Sequence, residues 1–257
     1  MYIFIIHKKH ILLFLTLLTP FLLINSPRVR KTSMNAIFTS SEKIAYLTFD
    51  DGPTAKVTPQ ILDILKEYNI KGTFFLLGCN AETHPELVKR INEEGHTIAN
   101  HGYSHNNAKL YASKDAFLEE IHKTDKIIGE ILGINDYSCH IFRFPNGSTS
   151  KAYFQEKQKA AKWLEEIEYD YIDWNALNKD SERKYSNQVL IQNLKETSQG
   201  KGTLVILMHD TGDVNNTYDI LAESIEYLIK EGYQFRSLSF NEPQIVAATT
   251  KTPSFSR

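Results

Sequence analysis

The sequence carries almost no net charge. Its 257 residues include 29 Lys and Arg against 31 Asp and Glu, which gives a formal net charge of −2. Such a balance provides no electrostatic attraction for nucleic acid, and no basic stripe with interleaved aromatic residues is present. We therefore expect no nucleic-acid partner.

Cysteine is scarce as well, since Cys79 and Cys139 are the only two in the chain. Their wide spacing excludes a Cys-x-x-Cys metal or redox motif. An oxidising compartment would permit a disulfide between them, but the spacing alone does not decide whether they pair.

Long hydrophobic runs are few, and the clear example lies at the N-terminus. Lys8 and Lys9 precede an apolar stretch over 11–24, and polar residues with Pro27 follow it. A short positive region before an apolar run of this length is typical of a signal peptide. No Ala-x-Ala cleavage site follows, so an uncleaved N-terminal membrane anchor is the alternative for residues 1–27.

Both interpretations of the leader imply that the rest of the chain is exported. We expect a secreted or membrane-anchored protein at the extracellular face or in the cell wall. After the leader we predict a linker over 28–41, a single domain over 42–243 and a polar tail over 244–257. No internal linker or sequence repeat divides the domain, and a hydrophobic content of 42% is sufficient for one core.

Strand-like and helix-like segments alternate through the predicted domain. This alternation predicts an α/β fold in which crossover helices connect parallel strands. About seven such units favour closure into a (β/α) barrel, in which active sites lie at the carboxyl ends of the strands. The strand-like runs are 44–49, 72–77, 96–99 and those near 140–144, 169–174, 203–208 and 233–238.

Two adjacent carboxylates end the first of these strands. Asp50 and Asp51 follow a buried apolar run, and Gly52-Pro53 then opens a loop. Two carboxylates held close together repel each other unless a cation or a shared proton lies between them. One Asp could bind a metal while the other acts as a base, or the pair could be solvated acids of an ordinary Asp-Gly turn.

Two imidazoles follow the third strand. His101 and His105 are four residues apart, a spacing at which both can face one metal ion. With Asp51 they would supply three protein ligands and leave positions open for water and substrate, as catalytic zinc sites require. We therefore expect a divalent metal cofactor, with Zn²⁺ as the first candidate.

Arg143 and His209 also follow strands. His209 leaves an apolar strand, where it could give a proton to a leaving group near neutral pH or could be a core histidine bonded to Asp210. Arg143 is flanked by apolar residues, and a half-buried guanidinium needs a carboxylate. Asp50 or Asp180 could supply that carboxylate.

Four motifs of this chain, taken in order, resemble those of the polysaccharide deacetylase family. Its members are metal-dependent carbohydrate esterases (family 4) with a NodB homology domain, and the resemblance covers roughly 42–240. It implies a distorted (β/α) barrel that removes acetyl groups from N-acetylated, sometimes O-acetylated, sugars in polymers. The motifs are Thr48-Phe49-Asp50-Asp51-Gly52-Pro53, His101-x-x-x-His105, Arg143-x-Pro145 and Leu207-x-His209.

The resemblance also implies a role for each motif residue. Asp50 corresponds to the catalytic base and His209 to the general acid, and Arg143 to the arginine that orients the base. Leu207 would lie beside the pocket for the acetyl methyl group. The N–H of Asn146, after Pro145, would help the metal to hold the oxyanion. The implied metal ligands are Asp51, His101 and His105.

The chain departs from the family pattern in two motifs. Asn146 stands where the third motif usually has an aromatic residue or Gly, and it can keep the N–H donor because Asn tolerates left-handed geometry. The fourth motif usually has Asp directly before Trp, which fits Asp173-Trp174, whereas Asp180 is a second candidate. We expect Trp174 to pack at the strand end beside the substrate and Asp180 to pair with Arg143.

These features together predict a metal-dependent deacetylase of cell-wall amino sugars, with peptidoglycan as the expected polysaccharide partner. The leader motivates this substrate, because export would place the site at the wall. Three alternatives stay open: a chitooligosaccharide deacetylase, an O-acetyl polysaccharide deacetylase and a non-catalytic wall-binding protein. The last has no need of the base Asp50 or the acid His209.

Overall fold

The computed structural model describes residues 42–211, 214–215 and 217–240. The predicted leader over 1–27, the linker over 28–41 and the tail over 244–257 lie outside the described residues. Within the described part of the chain, no helix is both long and apolar enough to cross a membrane.

The centre of the fold is a sheet whose strand pairings are all parallel. The strands are β1 (Lys43–Asp50), β2 (Thr73–Leu76), β3 (Thr97–Asn100), β4 (Ile141–Phe142), β5 (Asp170–Tyr171), β6 (Ala176–Leu177), β7 (Thr203–His209) and β8 (Tyr233–Phe235). Their order in the sheet is β5-β4-β3-β2-β1-β7-β6, and β8 pairs with the first residues of β1. The path of seven strands curls into a half-barrel, which confirms the predicted distorted barrel.

Helices connect these strands, as the alternation predicted. The structure adds three short elements that were not predicted, namely β6, α2 (Gly78–Thr83) and α4 (Asn107–Leu110), because no continuous apolar run marks their sequences. In the described residues the helices are α1 (Val57–Glu67), α2 (Gly78–Thr83), α3 (Pro85–Glu93), α4 (Asn107–Leu110), α5 (Lys114–Leu132), α6 (Phe154–Glu166), α7 (Asn187–Ser198) and α8 (Tyr218–Lys230).

Side-chain alternation along β1 separates the core from the barrel interior. Leu47 and Phe49 are fully buried against the helices in the main hydrophobic core. Tyr46 points to the opposite face and joins a smaller cluster inside the barrel. Because side chains alternate along a strand, Thr48 and Asp50 also point inward. The carboxylate of Asp50 therefore lies inside the barrel, at the carboxyl end of β1.

The two cysteines do not form a disulfide in this structure. Cys139 is buried and Cys79 is half-buried, and both are free thiols. Burial raises the pKa of both thiols, so neither is activated as a thiolate.

His96, directly before β3, is a buried histidine with a structural role. Its Nδ1 accepts a hydrogen bond of 3.0 Å from the N–H of Gly72, and its ring packs edge-on against Phe74 with centroids 5.4 Å apart. Burial lowers the pKa of His96 to about 4, and the nearby Lys71 acts in the same direction. The ring is therefore neutral in the folded protein at pH 7.

This histidine should make the fold less stable in mild acid. Its pKa is about 4 when folded against 6.5 when exposed. Since the unfolded chain binds the proton first, the stability is present above pH 6.5 and is lost as pH falls towards 4. Urea unfolding at pH 7.5 and pH 5.5 should show a larger loss for the wild type than for His96→Asn, which keeps an acceptor for Gly72.

The exposed His122 provides the matched control. His122→Asn should follow the wild type across the same pH range. Equal acid sensitivity of the wild type and His96→Asn would contradict this role of His96.

Candidate active site

A buried ion pair fixes Asp50 at the carboxyl end of β1. Arg143 is fully buried, and its Nη1 donates hydrogen bonds of 2.7 Å to Asp50 Oδ1 and to Thr48 Oγ1. Its Nε donates to the carbonyl oxygen of Ile172 at 3.0 Å. Asp50 itself is 3% exposed. A buried charge pair is favourable only when its remaining hydrogen bonds are satisfied, and these contacts provide them.

Asp51, His101 and His105 converge on one point. The Oδ1 of Asp51 lies 3.3 Å from Nε2 of His101 and 3.4 Å from Nε2 of His105. The three potential ligand atoms all lie within 4.8 Å of one another. Burial alone would raise the pKa of Asp51, but the two imidazoles lower it to about 2, so this carboxyl is ionised.

Hydrogen bonds orient the ring of His101. Its Nδ1 lies 2.8 Å from the backbone oxygen of Arg143, which can only accept, so Nδ1 carries a proton and Nε2 is the nitrogen that faces Asp51. The loop between the two histidines is held by Glu120 on α5. The Oε2 of Glu120 accepts the backbone N–H groups of Tyr103 at 2.9 Å and Ser104 at 2.8 Å.

This triad fits a divalent metal. Asp51 Oδ1 is buried without a hydrogen-bond partner among the described residues, although a bare carboxylate oxygen is costly to bury. Two imidazole nitrogens and one carboxylate oxygen are the donor set of open catalytic zinc sites. The predicted ligands are therefore brought together in a geometry that suits the expected cofactor.

Asp180, which follows β6, orients His209. The Oδ1 of Asp180 lies 2.8 Å from Nδ1 of His209, and its Oδ2 accepts the backbone N–H of His209 at 2.8 Å and the hydroxyl of Thr217. Burial lowers the pKa of His209, but the hydrogen bond and charge of Asp180 more than offset it and raise the pKa to about 9. His209 is therefore held protonated.

The predicted pairing of Asp180 with Arg143 is wrong. Arg143 pairs with Asp50, and Asp180 pairs with His209. The strand order explains the difference, since Arg143 follows β4 on one side of β1 whereas Asp180 follows β6 on the other. Asp210 does not bind the imidazole either, because its carboxylate accepts from the hydroxyl of Thr58 at 2.7 Å.

One cavity of about 370 Å³ collects these groups at the carboxyl ends of the strands. Every predicted site residue lines it except Arg143 and Pro145, which are buried behind it. Trp174 and Leu207 form apolar parts of the cavity wall, as expected. The wall also contains residues that were not predicted, because no motif marks them: Leu177, Lys179, Ser181 and Glu182.

The loop of the third motif turns through two left-handed residues, Asn146 at φ 63° and Gly147 at φ 77°. A Cβ on Gly147 would approach the Trp174 ring to 3.0 Å, so glycine also allows close packing there. Asp173, the other fourth-motif candidate, anchors the end of the loop by accepting the N–H of Ser148 at 2.9 Å. The Asn tolerates the left-handed geometry, as predicted.

Residues 39–162 match the family model described as Polysaccharide deacetylase. A peptidoglycan-N-acetylglucosamine deacetylase of Bacillus cereus is 31% identical over 209 residues, which cover 78% of this chain and 88% of that relative. The chain belongs to the polysaccharide deacetylase family. It is an enzyme of this class, as the motifs predicted.

Other members of the family agree in sequence and in fold. A second peptidoglycan-N-acetylglucosamine deacetylase of Bacillus cereus is 37% identical over 195 residues, which are 75% of this chain and 66% of the relative. The crystal structure of a polysaccharide deacetylase from Bacillus cereus superimposes with a TM-score of 0.67 at 32% identity, covering 77% of this chain and 93% of that one. The domain matched is thus the larger part of each relative.

Metal binding by the triad should stabilise the fold. Zinc at about 100 times its Kd would add about 2.7 kcal/mol to the free energy of unfolding, because it binds only the folded state. The melting temperature of chelator-treated protein should rise on addition of zinc. His105→Gln should abolish this rise, since it removes one of the three donors and leaves a partly exposed position.

His84→Gln is the matched control, because His84 is a half-buried histidine outside the triad. It should keep the full response to zinc. A zinc response that survives in His105→Gln would contradict the assignment of His105 as a ligand.

Proposed function

We propose that this enzyme hydrolyses the N-acetyl groups of amino sugars in cell-wall peptidoglycan. One observation carries the proposal. A carboxylate held by Arg143 and an imidazole held by Asp180 line the same cavity as a triad suited to a metal. Amide hydrolysis needs a base, an acid and a stabiliser of the carbonyl oxygen, and these groups could supply all three.

Asp51, His101 and His105 are the proposed ligands of the cofactor. A divalent metal bound there would stabilise negative charge on the acetyl carbonyl oxygen and make water easier to deprotonate. Zinc is the first candidate because two imidazoles and a carboxylate are ligands it commonly takes in catalytic sites.

Asp50 is the proposed general base. Arg143 occupies its Oδ1, whereas its Oδ2 is directed towards the triad, 3.9 Å from Nε2 of His101. A water placed there could lose its proton to Oδ2 as it attacks the acetyl carbon. Arg143 keeps Asp50 in position throughout, because its Nη1 donates to Asp50 Oδ1 at 2.7 Å.

His209 is the proposed general acid. Asp180 binds its Nδ1, so Nε2–H is the proton that can be transferred. Its transfer to the amide nitrogen allows the C–N bond to break, which releases acetate and leaves an amine on the sugar. The N–H of Asn146 is the proposed donor to the oxyanion, and Leu207 the proposed neighbour of the acetyl methyl group.

The substrate and location rest on two supports. Relatives over most of the domain are named for N-acetylglucosamine in peptidoglycan. The predicted leader over 1–27 would bring the enzyme to the wall, as a secreted or membrane-anchored protein.

Acetate release from purified peptidoglycan tests the function. The wild type should release acetate, a chelator should stop it and zinc should restore it. Asp50→Asn should lower the rate by about 10²–10⁴-fold because the base is lost, while zinc binding by calorimetry persists. Chitin oligomers and an O-acetylated polysaccharide serve as comparison substrates.

Each outcome decides between the alternatives. If acetate is released faster from either comparison substrate than from peptidoglycan, that compound is the better candidate for the substrate. Absence of release from all three by zinc-loaded protein would favour a wall-binding role. A near-normal rate in Asp50→Asn would remove Asp50 from the mechanism.

The pH dependence tests the pairing of His209 with Asp180. The acid must be protonated, so the rate should fall as pH rises through the pKa of His209. Asp180→Asn removes the charge that raises this pKa, and the alkaline limb of kcat should move down by about 1 to 3 pH units. An alkaline limb that stays in place, measured from pH 6 to pH 11, would contradict the role of Asp180.

A further inference from the structure

A buried lysine lies behind the loop that carries Asn146. Lys157 on α6 is 1% exposed, although lysine is seldom buried without a partner. Its Nζ donates to the backbone oxygens of Pro145 at 3.0 Å and Gly147 at 2.7 Å, and to Ser150 Oγ at 2.6 Å. These contacts use all three ammonium protons on one short loop.

The contacts require the charged form of Lys157. The hydroxyl of Ser150 donates to the backbone oxygen of Ala152, which leaves its oxygen to accept from Nζ. A neutral amine has two N–H groups, too few for three acceptors. Burial lowers the pKa of Lys157, and the charge of Asp173 opposes that effect.

One of the three acceptors belongs to the peptide unit that holds the proposed oxyanion donor. The oxygen of Pro145 and the N–H of Asn146 lie on the same planar group, which is trans. In a trans peptide these two groups point in opposite directions. With Lys157 behind the oxygen, the N–H is directed away from α6, and Asn146 lines the catalytic cavity.

A cation bonded to a peptide oxygen also makes the N–H of that peptide a stronger hydrogen-bond donor. It favours the resonance form with a C–N double bond and a more positive nitrogen, and hydrogen bonds in series polarise one another. The backbone oxygen of Gly147 accepts from the same ammonium group. The left-handed residues Asn146 and Gly147 are therefore both fixed by Nζ of Lys157.

We propose that Lys157 is a positioning residue that orients and polarises the Asn146 N–H for the developing oxyanion. It acts through the peptide and does not touch the substrate. The inference rests on the proposed function, in which that N–H helps to stabilise the transition state.

Kinetics of Lys157→Met test this role, because Met keeps the length of the side chain and removes the charge. Loss of an entire oxyanion donor lowers kcat by about 10²–10³-fold, so a weakened donor should lower it by about tenfold. KM and zinc affinity should stay within about twofold, since ground-state binding is not involved. Lys157→Gln, which keeps neutral donors, should lie between Met and the wild type.

Lys201→Met is the matched control. Lys201 also donates to two backbone oxygens, those of Asn175 and Thr197, but beside the start of β7, at the end of that strand opposite His209. This variant should lose stability and keep kcat. A second readout does not depend on activity: the ¹⁵N resonance of Asn146 should move upfield in Lys157→Met, because its peptide oxygen loses a cationic donor.

The outcomes separate this inference from the function on which it rests. An unchanged kcat or an unchanged Asn146 resonance in Lys157→Met overturns the role of Lys157 alone. If Lys157→Met does not fold, the same two readouts in Lys157→Gln decide. Absence of acetate release by the wild type overturns both proposals. An equal loss of kcat in Lys201→Met would show a general effect of stability and also overturn the role.

Discussion

The buried contact between Arg143 and Asp50 is the interaction on which the rest of the site depends. The guanidinium spans from β1 to the residues after β5, and the backbone oxygen of the same arginine fixes the ring of His101. One residue therefore sets the position of the proposed base with its side chain and of a proposed metal ligand with its main chain. Without the carboxylate, a fully desolvated cation would remain, which a fold of this size can hardly tolerate.

Two carboxylates of the cavity receive different roles from different partners. Asp50 is bonded to a guanidinium, which never loses its charge and cannot give up a proton at ordinary pH. Asp180 is bonded to an imidazole, whose proton is transferable and is held more firmly because of the contact. A carboxylate thus suits the proposed role of base when it is paired with Arg143, and supports the proposed acid when it is paired with His209.

The sequence was sufficient to predict the barrel and every strand except β6. It also predicted the convergence of nearly all site residues, because parallel strands bring their carboxyl ends to one edge. It was not sufficient to predict which carboxylate meets which cation. Asp50 ends one strand and Asp180 follows another, and lateral strand order decides which of them pairs with Arg143. The two-residue β6 next to β7 places Asp180 beside His209, and its Ala176-Leu177 lie between two asparagines, with no apolar run to mark a strand. The role of Lys157 was missed for a different reason: a lysine in an amphipathic helix normally faces solvent, and nothing in the sequence marks this one as buried.

The alternation along β1 links the site to the core in a way that restricts how this chain can change. Phe49 packs against the helices while its neighbour Asp50 reaches the arginine. Deletion or insertion of a single residue within the strand would exchange the two faces, turning the aromatic ring into the cavity and the carboxylate into the apolar layer. Length variation in such proteins should therefore be confined to the loops, and β1 should keep its length wherever the chemistry is kept.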